Sequence, residues 1–356
     1  MTNSFDDLAE QSQLYFIIGS NTTENHPVLG MRIRQAVKQR GARLIVCDPR
    51  AIPIADLATL HIRQKPGTDI ALLNGIMHVL VAEELYDKKF VAERTEGFEA
   101  LKETLMAYPP ERVAEITGVP AAQIVEAAHL LAANRPGALL YAMGITQHNT
   151  GHKNVMSCAN LAMLTGHYGR RSVGVNPLRG QNNVQGASDA GAMPFHFPGY
   201  MEVDIEANAV QWETAWNVEP GGLSRRRGLT TTEILSQAHP GGVRALYIMG
   251  ENPVMTEPNM HVTRQHMAQL EFLVAQDIFI NESAAYADVI LPAAAWAEKD
   301  GTFTNVERRV QRAVKAVRDP DSKAAPDWMI LDHLASRLGA HFPFADEKAI
   351  TLEIGK

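Results

Sequence analysis

Leu14-Tyr15-Phe16-Ile17-Ile18-Gly19-Ser20-Asn21 is the stretch that sets the architecture. Five successive apolar residues ending in a glycine read as a strand buried on both faces, and such strands belong to parallel sheets covered by helices. A helical pattern from about Pro27 to Arg40 follows, with Arg32, Arg34, Lys38 and Arg40 on its polar side, and Gly41 stops it where a helix favours glycine. A second strand, Arg43-Leu44-Ile45-Val46-Cys47, ends in Asp48-Pro49-Arg50. Strand, glycine turn, helix, strand and acid make a βαβ unit. The crevice beyond the carboxyl ends of its strands takes a nucleotide, and the acid can hold ribose or base. The turn is G-x-N rather than G-x-G-x-x-G, which weakens a nicotinamide reading.

The same order returns later. Val243-Arg244-Ala245-Leu246-Tyr247-Ile248-Met249 leads into Gly250-Glu251-Asn252-Pro253, a helical stretch covers His261 to Gln269, and Phe272-Leu273-Val274-Ala275-Gln276 ends in Asp277. Gly19 to Asp48 spans 29 residues and Gly250 to Asp277 spans 27. Two such turns, each with an acid at nearly one distance, suggest two related nucleotide-binding halves. Strands of α/β proteins often end in Gly or Asp for the loops' sake, so the doublet alone leaves a bland reading open. The fold class predicted is α/β, with two pseudo-symmetric Rossmann-like parallel-sheet domains. Their predicted bounds are 1–180 and 181–300, with 301–356 a partial C-terminal extension.

Between the two units the patterns are mostly helical, including Asp69 to Glu84, with Asp69 as N-cap, and Ala121 to Ala133 entered through Pro120. The strand Ala138-Leu139-Leu140-Tyr141-Ala142 carries the polar tip Met143-Gly144-Ile145-Thr146-Gln147 to the same crevice. Lys153 to Tyr168 reads as a helix, whose Met156, Leu161, Met163 and Leu164 are expected in the core. His148 and His152 flank a turn, Asn149-Thr150-Gly151, and read as a loop pair rather than a metal site. Trp212, Trp216 and Arg225-Arg226-Arg227 fall in a Gly-rich linking region expected to be solvated surface. Further on come the strand Ala287-Asp288-Val289-Ile290-Leu291-Pro292, then Lys299 past a strand end, and a last helix from Asp327 to Arg337 closed by Gly339. The tail to Lys356 is expected to form nothing complete.

With 356 residues and 46% hydrophobic content, the chain can bury a sizeable core. Its formal charge of −7 and lack of long like-charge blocks give no footprint for nucleic acid. No apolar run reaches the roughly 20 residues that span a bilayer, and the acidic N-terminus is no signal peptide, so a cytoplasmic location is expected. The two cysteines, Cys47 and Cys158, have no CxxC spacing, so no zinc or iron–sulfur site is built from them.

Midway lies Asn176-Pro177-Leu178-Arg179-Gly180-Gln181-Asn182-Asn183-Val184-Gln185-Gly186-Ala187-Ser188-Asp189. It has neither helical nor strand periodicity and reads as a loop. Its amides suit a heteroaromatic edge and its guanidinium a carboxylate or phosphate. A polar turn would use the same residue types, so composition leaves both readings open.

Arg179 to Asp189, with Ile45 to Arg50, Tyr247 to Pro253 and Ala287 to Pro292, resembles the middle of the catalytic α subunit of molybdenum- or tungsten-dependent formate dehydrogenases, in the molybdopterin oxidoreductase family. The resemblance runs in the same order over nearly the whole chain. It implies two α/β domains, each binding the guanosine end of one of two molybdopterin guanine dinucleotides, with the metal between the pterins. It also implies a [4Fe-4S] cluster, a cysteine or selenocysteine on the metal, and transfer of two electrons to an electron-transfer subunit or domain. The ligands for cluster and metal are not in this sequence. The expectation is therefore an internal piece of the enzyme, inactive by itself, either excised or started at an internal Met after a UGA selenocysteine codon.

The resemblance places Arg179, with Gln181, at the catalytic end, where a bidentate guanidinium matches formate, an anion with no apolar handle. In the first half it assigns the cofactor to Gly19, Asn21, Glu24, Cys47, Asp48, Arg50, Gly67, Asp69, Met143 and Gln147. In the second it assigns Asn252, Gln276, Asp277, Lys299 and Asp327. Asp48 and Asp277 are expected to face guanine or ribose, since a carboxylate accepts two parallel bonds. The alternatives are another member of the family, such as a nitrate reductase, against which the central run argues, and a non-catalytic nucleotide-binding module.

Overall fold

The computed structural model describes residues 1–239 and 241–355. The chain folds as two compact units, Met1–Asn182 with Val306–Arg308, and Asn183–Asn305 with the residues from Arg309 onward.

The first unit is a parallel sheet of β1 (Leu14–Ile18), β2 (Arg43–Cys47), β3 (Leu60–Ile62), β4 (Gly137–Tyr141) and β5 (Gly174–Pro177) in the order β3-β2-β1-β4-β5. All five residues of β1 are buried. Leu14, Phe16 and Ile18 point into one core with the helices Asp69–Ala82, Ala121–Ala133 and Gly151–Leu164. Tyr15 and Ile17 point into the other, with Leu29 and Ile33 of the helix Pro27–Arg40. Each such side chain contributes about 1.5–3 kcal/mol relative to exposure. Helices on both faces explain why the strands read as unbroken apolar runs rather than alternating ones. The order reverses between β1 and β4, which makes their carboxyl ends the topological switch point of a doubly wound sheet.

In the second unit two short strands, β6 (His196–Phe197) and β7 (Met201–Glu202), form a hairpin. β8 (Ala245–Met249), β9 (Phe272–Asp277) and β10 (Val289–Pro292) then make a parallel sheet in the order β10-β9-β8. Its core holds Leu235, Ile248, Val254, Met267 and Leu273. An antiparallel pair, β11 (Gly301–Thr304) and β12 (Val310–Ala313), follows. The α/β class with two parallel sheets is as the sequence predicts.

Several local readings change. The run Arg179 to Asp189 is not loop throughout: Val184–Asp189 is a short helix, entered through Asn183 at φ 59°, a conformation Asn tolerates better than most residues. Asn176 is not a loop amide at all but a buried residue of β5, whose side-chain oxygen accepts from Thr2 and Asn3. Asp69 is the first helical residue rather than the cap, which is Thr68, and its carboxylate turns to Gln64. The helix predicted over Lys153 to Tyr168 ends at Leu164, because Gly166 takes φ 64°. Met156 is 61% exposed, so it is not core. Arg225 is paired with Glu206 and with the buried Glu213 rather than simply solvated. The tail forms a helix, Glu347–Ile354, capped by Asp346; its last residue, Lys356, lies outside the described residues.

Candidate functional site: a cleft at the switch point

Two glycine turns build the floor of the first cleft. Gly19, at φ 61°, donates its N–H to the carbonyl of Cys47 at 3.1 Å and accepts the N–H of Gly144 at 3.0 Å. A Cβ on Gly19 would lie 2.7 Å from the Gly144 carbonyl carbon, and one on Gly144 would lie 2.6 Å from the Gly19 Cα. The turns after β1 and β4 thus touch backbone to backbone, which only glycine on both sides permits.

Above them opens a cleft of about 550 Å³. Of the residues assigned from sequence, Gly19, Asn21, Asp48, Arg50, Asp69, Met143 and Gln181 line it. Glu24, Gly67, Gln147 and Arg179 stand beside lining residues without lining it themselves. Cys47 is fully buried with its thiol in the core; its main-chain carbonyl is what serves the turn. Burial and the nearby Asp69 push that thiol well up, so it stays protonated.

Asp48 and Asp69 are both buried carboxylates. Asp48 accepts the Arg50 N–H at 2.9 Å, and the Arg50 guanidinium stands 3.7 Å away. Asp69 accepts from Gln64 Nε2 at 3.0 Å, and His148 Nε2 lies 4.0 Å from its other oxygen. Arg179 is exposed just past β5 and makes no hydrogen bond or ion pair among the described residues. Its neighbours Leu178 and Gly180 line the cleft. Sequence reasoning missed Gln64, His26 and His148 as lining residues, while it brought Gly144 to this crevice as part of the tip after β4. Gln64 stands just past β3, a strand of only three residues, which leaves little local pattern to read.

In the second unit the structure joins Gln276, Lys299 and Asp327. Gln276 Nε2 donates to Asp327 Oδ1 at 2.8 Å, Lys299 Nζ pairs with the other carboxylate oxygen, and the Tyr247 hydroxyl donates to Gln276 Oε1. Burial first, and the Asp327 charge second, raise the Tyr247 pKa. Asn252 and Asp277 belong to the adjoining turns. Asn252 Oδ1 accepts from the Ser283 N–H and hydroxyl at 3.2 and 2.7 Å, and Asp277 accepts from the Ile278 N–H and Asn281 Nδ2 at 2.6 and 2.7 Å.

A doubly wound sheet with a polar cleft at its switch point places that cleft where open α/β sheets bind their ligands. The sequence profile of the molybdopterin oxidoreductase family matches residues 1–337, and the chain belongs to that family. It is 47% identical, over its whole length, to the alpha subunit of F420-dependent formate dehydrogenase 1 of Methanococcus maripaludis, covering 52% of that protein. It is 44% identical, over 95% of its length, to formate dehydrogenase H of Escherichia coli, covering 47% of it. The chain therefore spans about half the length of the curated relatives it matches. Acetylene hydratase from Pelobacter acetylenicus has a similar structure, with a TM-score of 0.76 at 25% identity, over all of this chain and 51% of that one.

Membership brings molybdopterin as the cofactor, with molybdenum or tungsten as its metal. The first cleft fits part of such a group on its own chemistry. The Asn21 side-chain oxygen and that of Gln64 are buried there without a partner, which is the condition a ligand relieves. The glycine contact, which a Cβ would disrupt, holds the two turns together along the floor of this cleft.

Proposed function

We propose that the chain is the cofactor-cradling part of a molybdopterin-dependent formate dehydrogenase. In this reading the first cleft holds the guanosine end of one molybdopterin guanine dinucleotide, and the turns of the second sheet hold that of another. When bound, the metal–pterin group supplies the acceptor for the two electrons that formate loses, and they leave towards an iron–sulfur cluster. The ligands of metal and cluster are placed outside residues 1–356, so the isolated chain is expected to oxidise no formate.

The observation that carries the assignment of substrate is Arg179, an exposed, unpaired guanidinium just past β5, inside the run that resembles formate dehydrogenases. A guanidinium left unpaired beside a cofactor cleft is available to an external anion. Its planar fork takes both oxygens of formate and thereby fixes the direction of the C–H bond. Gln181, lining the cleft two residues on, adds an amide that can donate to the same carboxylate. Oxidation removes the charge that Arg179 holds, so carbon dioxide is released while formate is retained, a difference in binding that favours turnover.

The test is Arg179→Lys and Arg179→Met in the complete enzyme. Lysine keeps a point charge and loses the fork, so kcat/KM for formate is expected to fall ten- to a hundredfold, roughly 1.4–3 kcal/mol, with KM raised. Methionine is expected to cost more, with molybdenum or tungsten content near wild type. Loss of metal in proportion to activity would instead make Arg179 a cofactor-assembly residue.

A further inference from the structure

Gln64 follows β3 and belongs to no motif of the sequence. The residue is 3% exposed, and it lines the first cleft. The two ends of its amide are in unequal circumstances. Nε2 donates to Asp69 Oδ1 at 3.0 Å, whereas Oε1 is buried with no partner in the protein. A carboxylate accepts, so a flipped amide would set oxygen against oxygen; Asp69 thus holds the Gln64 nitrogen and leaves its oxygen as the end without a partner. A buried carbonyl oxygen without a donor is costly, so a donor supplied from the cleft would relieve it.

The atoms around it point the same way. Asp48 and Asp69 are buried carboxylates on the same cleft, and the Asn21 side-chain oxygen, on a residue 7% exposed, is a second acceptor without a partner. Beside the donors of Arg50 and His148, the cleft therefore offers acceptors that suit a ligand edge carrying N–H groups.

We propose that Gln64 determines base specificity in this cleft: its Oε1 accepts an N–H of the 2-amino group of guanine, with Asp69 as the positioning residue that holds the amide in the accepting orientation. The proposal rests on the reading that the cleft holds the guanosine end of the cofactor. Among purines only guanine carries both an N–H at position 1 and an amino group at position 2. Hypoxanthine has the first without the second, and adenine has an acceptor at position 1, which would face a carboxylate or amide oxygen.

The experiment is calorimetric titration of the 356-residue chain with GDP, IDP and ADP. It is carried out on wild type and on Gln64→Met, which matches length without the amide acceptor. Wild type is expected to bind GDP more tightly than IDP by about threefold to tenfold, the effect of one net hydrogen bond. Gln64→Met is expected to erase the difference between GDP and IDP. Asp69→Ala, which frees the amide to flip, is expected to narrow the gap without closing it. If wild type binds GDP and IDP equally, the proposal fails whatever the variants do. If it prefers GDP and Gln64→Met keeps the preference, Gln64 is not the reader, while the guanosine cleft stands. If wild type binds no GDP, the reading of the cleft fails and the proposal with it.

Discussion

The turn at Gly19 has φ 61° with its N–H on the carbonyl of Cys47, the residue before Asp48. The turn at Gly250 has φ 66° with its N–H on the carbonyl of Gln276, the residue before Asp277. The strand registers agree as well, Ile18 opposite Cys47 and Met249 opposite Gln276. Locally the two halves are one device. Their surroundings differ. β1 has β4 on its other edge, which brings Gly144 against Gly19 and walls a cleft with buried, partly unpaired polar atoms. β8 is an edge strand among the described residues; no atom lies within 4 Å of a Cβ placed on Gly250, and the polar residues there bond one another. A G-x-N turn specifies a strand end, then, while the neighbouring strand decides whether that end becomes a cleft.

The largest effect expected from this difference is at the glycine pair. Gly144→Ala and Gly19→Ala each push a Cβ into backbone, and Gly19 is also left-handed, so each should cost about 3 kcal/mol or more. All four tryptophans, Trp212, Trp216, Trp296 and Trp328, lie in the second unit. Urea unfolding followed by circular dichroism should therefore shift while tryptophan fluorescence does not. A shift in fluorescence of equal size would show that the units unfold together and that the contrast cannot be read from stability alone.

Next is acid. Burial, with Arg135 and Arg170 adding, lowers the His167 pKa from 6.5 to about 4, and burial also lowers that of His26. Below pH 6.5 the unfolded chain takes up a proton that folded His167 refuses until about pH 4. Stability is thus full above 6.5 and is lost as pH falls towards 4, by up to about 3 kcal/mol for His167. His167→Leu should flatten the pH dependence of the first unit's unfolding midpoint across that window. An unchanged slope would assign the acid sensitivity to other groups.

How far these contrasts could be read from sequence follows from the range of the interactions. β1, β2, the helix Pro27–Arg40 and the left-handed Gly41 were legible because periodicity and local punctuation set them. Asp69 was placed at the right helix end and given the wrong partner, since its hydrogen bond goes back to Gln64 rather than along the helix. Asn176 looked like its loop neighbours and is buried in β5, because its partners, Thr2 and Asn3, are some 170 residues distant in sequence. Gly144 was brought to the cleft by the polar tip after β4, whereas Gln64 lines it only because β3 ends at the same edge as β1, and strand order is not written in any one segment.

A smaller effect should follow from Asn252→Ala. Asn252 Oδ1 holds both the N–H and the hydroxyl of Ser283, and its Nδ2 donates to Glu282 at 2.6 Å. Ser283 is buried and its hydroxyl also accepts the Val254 N–H, so the loss is not wholly repaired by solvent. About 1–2 kcal/mol is expected, this time in tryptophan fluorescence. A shift confined to the dichroism signal would mean that the second turn is not held by its own side chains.

The smallest effect is the one that isolates the turn from its neighbour. Gly250 shares the left-handed φ of Gly19, but a Cβ there meets nothing within 4 Å. Gly250→Ala should therefore cost only the left-handed backbone penalty, about 1 kcal/mol. Gly250→Asn should cost less, since asparagine enters that region more readily. Neither Ala nor Asn is tolerable at Gly19, where the obstacle is the Gly144 backbone rather than φ. If alanine costs as much at 250 as at 19, φ alone governs both turns, and the contact between Gly19 and Gly144 loses the role given to it in shaping the cleft.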